Sequence, residues 1–342
     1  MPAAPDNPLH RDGVLLLRRA DVAELLPMGE CINAVEDAFR CYGRNELPPP
    51  GLMGVPCGSG GFHIKTAIVP SDGQTYFAAK TNANFPENPK RFSLPSIQGV
   101  VVLFDGINGC PLAVMDSIEI TVRRTAAATA VAARYLARAE SRVVTICGCG
   151  AQAEAQLKAL RMVLPIERCF AFDIDVARAA EFARRIAAQG GVETEVICDL
   201  PKALAKSDVC VTCTPSREAF VHSDDVRPGT FIAAVGADNP EKQEIDPRLL
   251  QRSKVVADVL EQCAAIGELH HALDVGIMTR AEVHAELGAI VGGSAAGRES
   301  ADETTIFDST GTALQDAAAA VVIYQKALKN CSIQRWMINS QC

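Results

Sequence analysis

A short glycine-rich turn in the middle of the chain has the residue types and spacing that suit a phosphate group. It lies between an apolar strand and a helix, within the segment from Arg142 to Asp175. The residues of the turn are Gly148, Cys149, Gly150, Ala151, Gln152 and Ala153. The first glycine allows a tight bend, the second lets a pyrophosphate approach the backbone at a helix N-terminus, and the final alanine allows close packing of helix and strand. The turn predicts dinucleotide binding rather than an unrelated α/β loop, with Gly148, Gly150, Ala151 and Gln152 as contacts.

An aspartate closes the second strand after this turn. Asp173 follows the apolar residues from Cys169 to Phe172. A carboxylate at this position can accept hydrogen bonds from the adenosine ribose diol, whereas it would repel a 2′-phosphate. The sequence therefore predicts NAD(H) rather than NADP(H) as the cofactor.

The elements around the turn alternate between strand and helix, as in a doubly wound parallel sheet of the Rossmann type. We predict strands at Val143–Cys147, Cys169–Asp173, Thr194–Cys198, Val209–Thr212, Phe231–Val235 and Val255–Asp258. Such a sheet binds its ligand at the carboxyl ends of its strands, where the turn and Asp173 lie.

The N-terminal part of the chain has a different pattern. Alternating apolar residues predict antiparallel strands at Phe62–Val69, Tyr76–Thr81, Ile97–Phe104 and Leu112–Met115. An Ala-rich helix from Ile120 to Ala137 then leads into the parallel sheet, and a last long helix, Ala313–Lys329, is expected to return to the first domain. We predict a discontinuous domain of residues 1–125 and 315–342, and a dinucleotide-binding domain of residues 126–314.

Composition excludes several classes of protein. The chain has 342 residues, of which 48% are hydrophobic and 22% charged, and a formal net charge of −8. This length exceeds what one hydrophobic core usually serves, so two domains are expected. The 33 basic residues are scattered, which argues against nucleic acid as a partner. Apolar stretches too short for a bilayer and an N-terminus without the apolar core of a signal peptide argue against a membrane role and export.

The 13 cysteines do not form a recognisable disulfide or metal pattern. Cys147, Cys149, Cys210 and Cys213 lie in or beside predicted buried strands, where free cysteine behaves as a small apolar residue. Cys210 and Cys213 have CxxC spacing, but redox pairs of this kind open a helix, and these two lie in a strand. A reduced, cytoplasmic protein without a metal is expected.

Six motifs follow one another along the chain: Ala113–Asp116, Arg124–Ala128, Gly148–Gln152, Gly236–Pro240, Lys242–Glu244 and Ile306–Gly311. Together they resemble the ornithine cyclodeaminase/mu-crystallin family, nearest its archaeal alanine dehydrogenase branch. The resemblance extends from about Leu15 to Leu328. It implies a Rossmann domain joined to an α/β domain that carries much of the substrate pocket and forms a homodimer. It also implies NAD(P)-linked chemistry on small amino, imino or keto acids.

Arg124 matches the motif arginine of that family. From the residues alone, Arg124 has two interpretations: it is a surface cation, or its guanidinium group binds a carboxylate with two hydrogen bonds. The resemblance favours the second interpretation, with Arg124 binding the carboxylate of the substrate. Thr125 is then expected to reach a cofactor phosphate from the start of its helix.

Two lysines and two smaller polar residues are further candidates for the substrate pocket. Lys80 ends an apolar strand, where a lysine is often only a solvent-facing terminus. The resemblance implies that Lys80 binds the carboxylate or carbonyl oxygen of the substrate, or relays a proton after nearby cations lower its pKa. Lys65 aligns less securely with another basic position of the pocket. Asn82 and Ser96 are expected to supply neutral polar contacts.

Asp238 is the residue on which the expected mechanism depends. It follows Val235 and Gly236 at the end of a predicted strand, where the ligand crevice of a doubly wound sheet opens. A loop aspartate often only caps a turn, but the resemblance implies contact with the substrate amine, and a carboxylate there can move a proton. Val235, Gly236, Thr214 and Ser309 are expected to contact the cofactor.

The chain departs from the family at one wall of the pocket. A basic residue often follows the proline pair near the N-terminal sheet, whereas this chain has Gly51 and Leu52 after Pro50. Lys65 or Arg91 is the candidate replacement for the missing cation.

These residues predict an NADH-dependent reductase of a small α-imino or cyclic ketimine acid, reversible as an amino-acid dehydrogenase. In such an enzyme the cofactor carries the hydride and the protein supplies orientation and charge. One alternative is a cyclodeaminase that recycles bound NAD and releases ammonia. An alternative from a different class is a binding protein that holds a nucleotide or small ligand without turnover.

Overall fold

A computed structural model of the chain describes residues 13–329 and 333–336. These residues form two compact units. Unit 1 contains residues 13–34, 47–124, 313–329 and 333–336, and unit 2 contains Val35–Glu46 and Thr125–Thr312. Unit 1 is therefore built from separate stretches of the chain, and its last helix comes from the C-terminal stretch.

Unit 1 contains a seven-stranded sheet. Its strands are β1 (Val14–Leu17), β2 (Gly51–Cys57), β3 (Gly60–Ser71), β4 (Gln74–Asn84), β5 (Ile97–Asp105), β6 (Pro111–Asp116) and β17 (Arg335–Trp336). The order is β17-β1-β6-β5-β4-β3-β2, and β2 to β6 form an antiparallel meander. The four predicted antiparallel strands correspond to β3, β4, β5 and β6.

The helices of unit 1 lie against this sheet or lead out of it. They are α1 (Arg19–Leu25), α3 (Asn88–Arg91), α12 (Ala313–Ala327) and the first parts of α2 (Met28–Gly43) and α4 (Ser117–Leu136). Helix α12 is Ala-rich, almost wholly buried, and contacts β3, β4 and β5. Small side chains let a helix approach a sheet closely, so α12 can reach the buried face of these strands.

Two lysines lie on the buried face of the sheet. Ala67 on β3 and Ala78 on β4 pair across the strands and are buried, as are Lys65 and Lys80 two residues along each strand. Alternate residues of a strand share a face, so both lysines point to the same side as the alanines. Lys65 and Lys80 are also direct register partners.

Unit 2 contains an eight-stranded parallel sheet. Its strands are β7 (Val143–Cys147), β8 (Arg168–Phe172), β9 (Glu193–Val196), β10 (Val209–Thr212), β12 (Phe231–Ala234), β14 (Lys254–Ala257), β15 (Ala285–Glu286) and β16 (Thr305–Asp308). The order is β15-β14-β16-β12-β10-β7-β8-β9. The chain winds outward from β7 in both directions, so the topological switch point lies between β7 and β10. The predicted doubly wound, Rossmann-type fold is confirmed.

Smaller elements complete unit 2. Its helices are the last parts of α2 and α4, α5 (Ala153–Arg161), α6 (Val176–Gln189), α7 (Leu200–Leu204), α8 (Pro247–Gln251), α9 (Leu260–Ile266), α10 (Glu268–Asp274) and α11 (Leu287–Gly292). Strands β11 (Arg217–Val221) and β13 (Gln243–Ile245) pair as a separate two-stranded sheet. In the part of the chain that the structure describes, no helix is both long and apolar enough to span a bilayer.

Candidate functional site

The glycine-rich turn follows β7 and leaves its backbone open on one side. Gly148 has φ of +94°, and a Cβ there would lie 2.8 Å from the carbonyl oxygen of Cys213, so only glycine fits. At Gly150 a Cβ would meet no atom within 4 Å. Ala153, the first residue of α5, is fully buried. The turn therefore presents free space beside Gly150, where a pyrophosphate can approach the backbone.

Asp173 lies directly after β8 and is bound to this turn. Its Oδ2 accepts the backbone N–H of Cys149 at 2.8 Å, and its Oδ1 accepts that of Asp175 at 2.9 Å. The next side chain, Ile174, is 96% exposed. A carboxylate can accept about four hydrogen bonds, so these contacts leave acceptor capacity for a ribose diol.

The ends of β10 and β12 are joined by a buried carboxylate. Glu244 on β13 accepts the backbone N–H of Thr214 at 2.6 Å and its hydroxyl at 2.7 Å, together with the backbone N–H of Gly236 at 2.9 Å. A Cβ at Gly236 would lie 2.5 Å from this carboxylate, which explains the glycine. Burial raises the pKa of Glu244, while the donated hydrogen bonds act to lower it. Glu244 thus fixes the two loops that carry Thr214 and Gly236.

Further buried carboxylates continue this network. Glu268 accepts the backbone N–H of Glu244 and Ile245 at 2.9 and 3.0 Å. Asp308, at the end of β16, accepts those of Glu268 and Leu269, and burial raises its pKa to about 7. These carboxylates hold the loops at the carboxyl edge of the parallel sheet through backbone amides.

Ser309 lies next to this network and is buried. Its hydroxyl is 3.5 Å from Asp258 Oδ2, and its backbone N–H donates to Ala234 at 3.0 Å. The Asp258 carboxylate also accepts the backbone N–H of Gly311 at 2.7 Å. Ser309 therefore belongs to the strand ends of the crevice, and its expected cofactor contact stays a prediction.

Asp238 lies two residues beyond Gly236, on the crevice side of β12. Its side chain is 44% exposed and forms an ion pair with Lys242 at 2.7 Å. Lys242 Nζ also donates to the carbonyl oxygen of Gly236 at 3.3 Å. Lys242 was not among the predicted site residues, although it lies in a motif that the sequence singled out.

Unit 1 carries a separate cluster of buried charges. Lys80 Nζ lies 2.6 Å from Asp316 Oδ2, and Arg124 Nε donates to Asp316 Oδ1 at 2.9 Å. Arg124 Nη1 also donates to Gln315 Oε1 at 2.7 Å. Lys80 is 3% exposed and Asp316 1% exposed, and Lys65 and Arg124 are likewise buried. Burial, together with the charges of Arg124 and Lys65, lowers the pKa of Lys80 to about 7, against the opposing effect of Asp316.

Two groups of residues are therefore present: in unit 2, the glycine-rich turn and the strand-end loops, and in unit 1, a buried cluster of charged side chains. The sequence model of the ornithine cyclodeaminase/mu-crystallin family matches residues 13–330. The chain belongs to this family.

Individual relatives cover nearly the whole length of the chain. Alanine dehydrogenase from Archaeoglobus fulgidus is 39% identical over 316 residues, which are 92% of this chain and 95% of the relative. A solved archaeal alanine dehydrogenase dimer with bound NAD has a TM-score of 0.90 at 38% identity, covering 95% of this chain and 99% of that one. Δ1-Pyrroline-2-carboxylate reductase from Thermococcus litoralis, solved with NADH and L-proline, has a TM-score of 0.88 at 33% identity, covering 94% and 100%.

Within this family fold, the structure places Lys65 rather than Arg91 in the cationic cluster. Lys65 pairs in register with Leu52, one of the two residues that follow Pro50. Arg91 is exposed and forms an ion pair with Glu87 at 3.1 Å. Its burial favours Lys65 over Arg91 as the candidate replacement for the missing cation, and this role stays a prediction.

The other predicted residues of unit 1 lie near the strand ends. Asn82 on β4 accepts a hydrogen bond from the Ser117 hydroxyl at 2.6 Å. Ser96 precedes β5 and is half-buried, and its carbonyl oxygen accepts the N–H of Phe85 at 2.8 Å. Their contacts with a substrate stay predictions.

The reasoning for Thr125 needs correction. The sequence placed Thr125 at a helix start, where free N–H groups attract phosphate. Helix α4 begins at Ser117, so Thr125 lies inside it, and its carbonyl oxygen accepts the Thr129 hydroxyl at 3.3 Å. A helix N-terminus cannot explain a phosphate contact by Thr125, which now rests on the family resemblance.

Sequence reasoning missed Asp316, Gln315 and Glu244. Gln315 and Asp316 interrupt an otherwise apolar stretch of α12, where a buried charge without a function would be costly. That interruption was the available signal. Their partner Arg124 lies 191 and 192 positions away in sequence, so the contacts themselves could not be inferred from spacing.

Proposed function

We propose that this protein is an NAD-dependent oxidoreductase that reduces a small α-imino or cyclic ketimine acid with NADH and runs in reverse as an amino-acid dehydrogenase. The observation that carries the proposal is the buried cluster of Lys65, Lys80 and Arg124 around Asp316. Lys80 and Arg124 both lie beside Asp316, with Lys65 close by, and ammonium and guanidinium groups suit the binding of a carboxylate. In this proposal the group that they bind is the carboxylate of the substrate.

The roles of the side chains follow from their chemistry. Arg124, with Lys80 and Lys65, binds and orients the carboxylate of the substrate. Lys80 can also exchange a proton, because a pKa of about 7 allows both charge states at neutral pH. Asp238 holds the substrate nitrogen and moves its proton.

When bound, NADH donates the hydride and NAD⁺ accepts it in the reverse reaction. The strand-end loops of unit 2 have the residues that would hold this cofactor. The open side of Gly150 admits the pyrophosphate, and Asp173 accepts the ribose diol. Thr214 and Gly236, fixed by Glu244, line the same edge of the sheet. The solved relatives with bound NAD or NADH support this assignment.

A screen of substrates tests the proposal. Loss of NADH absorbance with pyruvate, glyoxylate and cyclic imino acids, each with and without ammonia or methylamine, is expected for a reductase. A cyclodeaminase would instead release ammonia from a diamino acid with no net change in absorbance. A binding protein would hold NADH, detected by fluorescence titration, and give neither signal.

A further inference from the structure

Asp316 contacts two of the three predicted substrate-binding cations, Lys80 and Arg124. It reaches Lys80 with one oxygen and Arg124 with the other, at 2.6 and 2.9 Å. Its neighbour on α12, Gln315, holds a second nitrogen of Arg124. Lys80 comes from β4 and Arg124 from α4, so Asp316 bridges two different elements to a third. Such a bridge fixes the separation of the ammonium and guanidinium groups.

The cationic groups of this cluster differ in how readily they lose a proton. Arg124 stays protonated under all ordinary conditions, whereas a buried lysine readily loses its proton. Lys80, with a pKa lowered to about 7, is a group of this cluster whose charge can change near neutral pH. Whether it does so depends on the groups around it: Asp316 favours its cationic form, while Arg124 and Lys65 disfavour it.

Asp316 and Cys31, which lie close to Lys80 or Arg124, keep the same charge in the pH range where Lys80 titrates. Although burial acts to raise it, the charges of Arg124 and Lys80 hold the pKa of Asp316 below its usual range, so it stays ionised near neutral pH. Cys31 on α2 faces Arg124 and Asp316, and burial raises its thiol pKa to about 12. The thiol is thus neutral wherever Lys80 titrates.

We infer that Asp316 is a positioning residue that aligns Lys80 with Arg124 and decides how readily Lys80 carries a proton during turnover. This inference rests on the proposed function insofar as Lys80 serves the substrate. The contacts that Asp316 makes are with Lys80 and Arg124. Its effect on the reaction passes through Lys80 and Arg124.

The first test compares pH profiles of kcat/KM for the wild type and Asp316→Asn. Protonated Lys80 disappears above its pKa, so the wild-type profile is expected to fall above about pH 7. Without the carboxylate this fall moves to lower pH by about one unit or more, with a loss of about fivefold or more at pH 7. Ionisation of the substrate is common to both proteins and cancels. An unmoved fall would overturn the inference.

Gln315→Leu is the matched control on the same helix. It removes a partner of Arg124 but leaves Asp316 beside Lys80. For Gln315→Leu we expect a higher KM. The pH above which kcat/KM decreases should be the same as in the wild type. An equal shift in both variants would mean that any disturbance of α12 moves the profile, and would also overturn the inference.

A second readout needs no catalytic activity. The pKa of Lys80 is lower in the folded state than in the unfolded state, so the unfolded state binds more protons between about pH 7 and 10.5. The free energy of unfolding therefore increases with pH in this range. In Asp316→Asn the pKa of Lys80 is lower, so the increase should begin at a lower pH. Melting temperatures across pH 5 to 9 measure this, so the inference can hold even if every proposed substrate fails. The inference would be contradicted if the melting temperatures of the wild type and Asp316→Asn changed with pH in the same way.

If Asp316→Asn does not fold, Asp316→Glu decides the question. Its carboxylate keeps the charge beside Lys80 but changes the alignment of Arg124. The fall in kcat/KM should then stay at its wild-type pH while KM rises severalfold. A fall that moves by a full unit although the charge is kept would overturn the inference.

Discussion

Lys80 and Asp238 are both proposed to move protons, yet the structure gives them opposite surroundings. Lys80 is buried and shares a single carboxylate with Arg124, so its charge is governed by its neighbours. Asp238 is 44% exposed and pairs with Lys242, a lysine in the same loop. A buried amine with a lowered pKa suits exchange of a proton at neutral pH, whereas an exposed carboxylate suits contact with a cationic nitrogen.

The first prediction concerns Asp238. Asp238→Asn keeps the shape of the side chain and removes the base, so kcat should fall by about 10² to 10⁴. NADH affinity should not change, because the carboxylate serves the substrate nitrogen. Steady-state kinetics and NADH fluorescence titration measure the two effects. Asp274→Asn, another exposed aspartate of unit 2, is the control and should have wild-type kcat. Near-normal kcat in Asp238→Asn would show that the proton travels elsewhere.

The second prediction concerns Asp173 and the choice of cofactor. NADH should be preferred over NADPH by at least about tenfold in kcat/KM, or ~1.4 kcal/mol, because the carboxylate repels a 2′-phosphate. Asp173→Asn should narrow the preference, and its amide oxygen can still accept the N–H of Cys149. Equal kcat/KM for the two cofactors in the wild type would refute the assignment.

At the scale of elements, the sequence predicted the buried apolar strands of the sheets, whereas it did not predict an exposed strand such as β2. Strand β10 lies at the predicted bounds because Val209–Thr212 is a short, fully buried run. Strand β2 was missed, since every residue of it is exposed and Pro56 interrupts it, so no alternation marks it. Strand β16, between β12 and β14, was recognised only as a family motif. The polar residues of α12, Gln315 and Asp316, contact Arg124 and Lys80, which are distant in sequence. Local sequence patterns do not predict such contacts.

The third prediction separates the two glycines of the turn. Gly150→Ala should leave the melting temperature unchanged, because its Cβ would enter open space and its φ is not in the left-handed region. It should raise the Kd for NADH by about tenfold or more, since a methyl group then occupies the path of the pyrophosphate. Gly148→Ala should lower stability by about 1 to 3 kcal/mol, because of its φ of +94° and the contact with Cys213. Unchanged NADH affinity in folded Gly150→Ala would contradict this account of the turn.

At the scale of the whole molecule, unit 1 has an apolar surface that its own elements leave exposed. Strand β2 is the last strand of the sheet, with an unpaired outer edge. Met53 on β2 and Val100 on β5 are 53% and 42% exposed. On the sheet face away from α12, Phe77 and Phe104 pair across strands and border a shallow 290 Å³ depression. Apolar side chains that are exposed next to one another often mark a protein–protein interface.

The last prediction is that this surface joins two copies of the chain. Light scattering should give twice the chain mass of 36.3 kDa at micromolar concentration, as in the archaeal alanine dehydrogenase dimer. Met53→Asp combined with Val100→Asp buries charges in the proposed interface, so the mass should fall toward that of one chain. Val275→Asp adds a charge at an apolar residue of unit 2 that is 69% exposed, and it should leave the dimer intact. A wild-type mass of one chain at every concentration would exclude the dimer. A double variant that remains a dimer would place the interface elsewhere, since neither charge could be tolerated inside it.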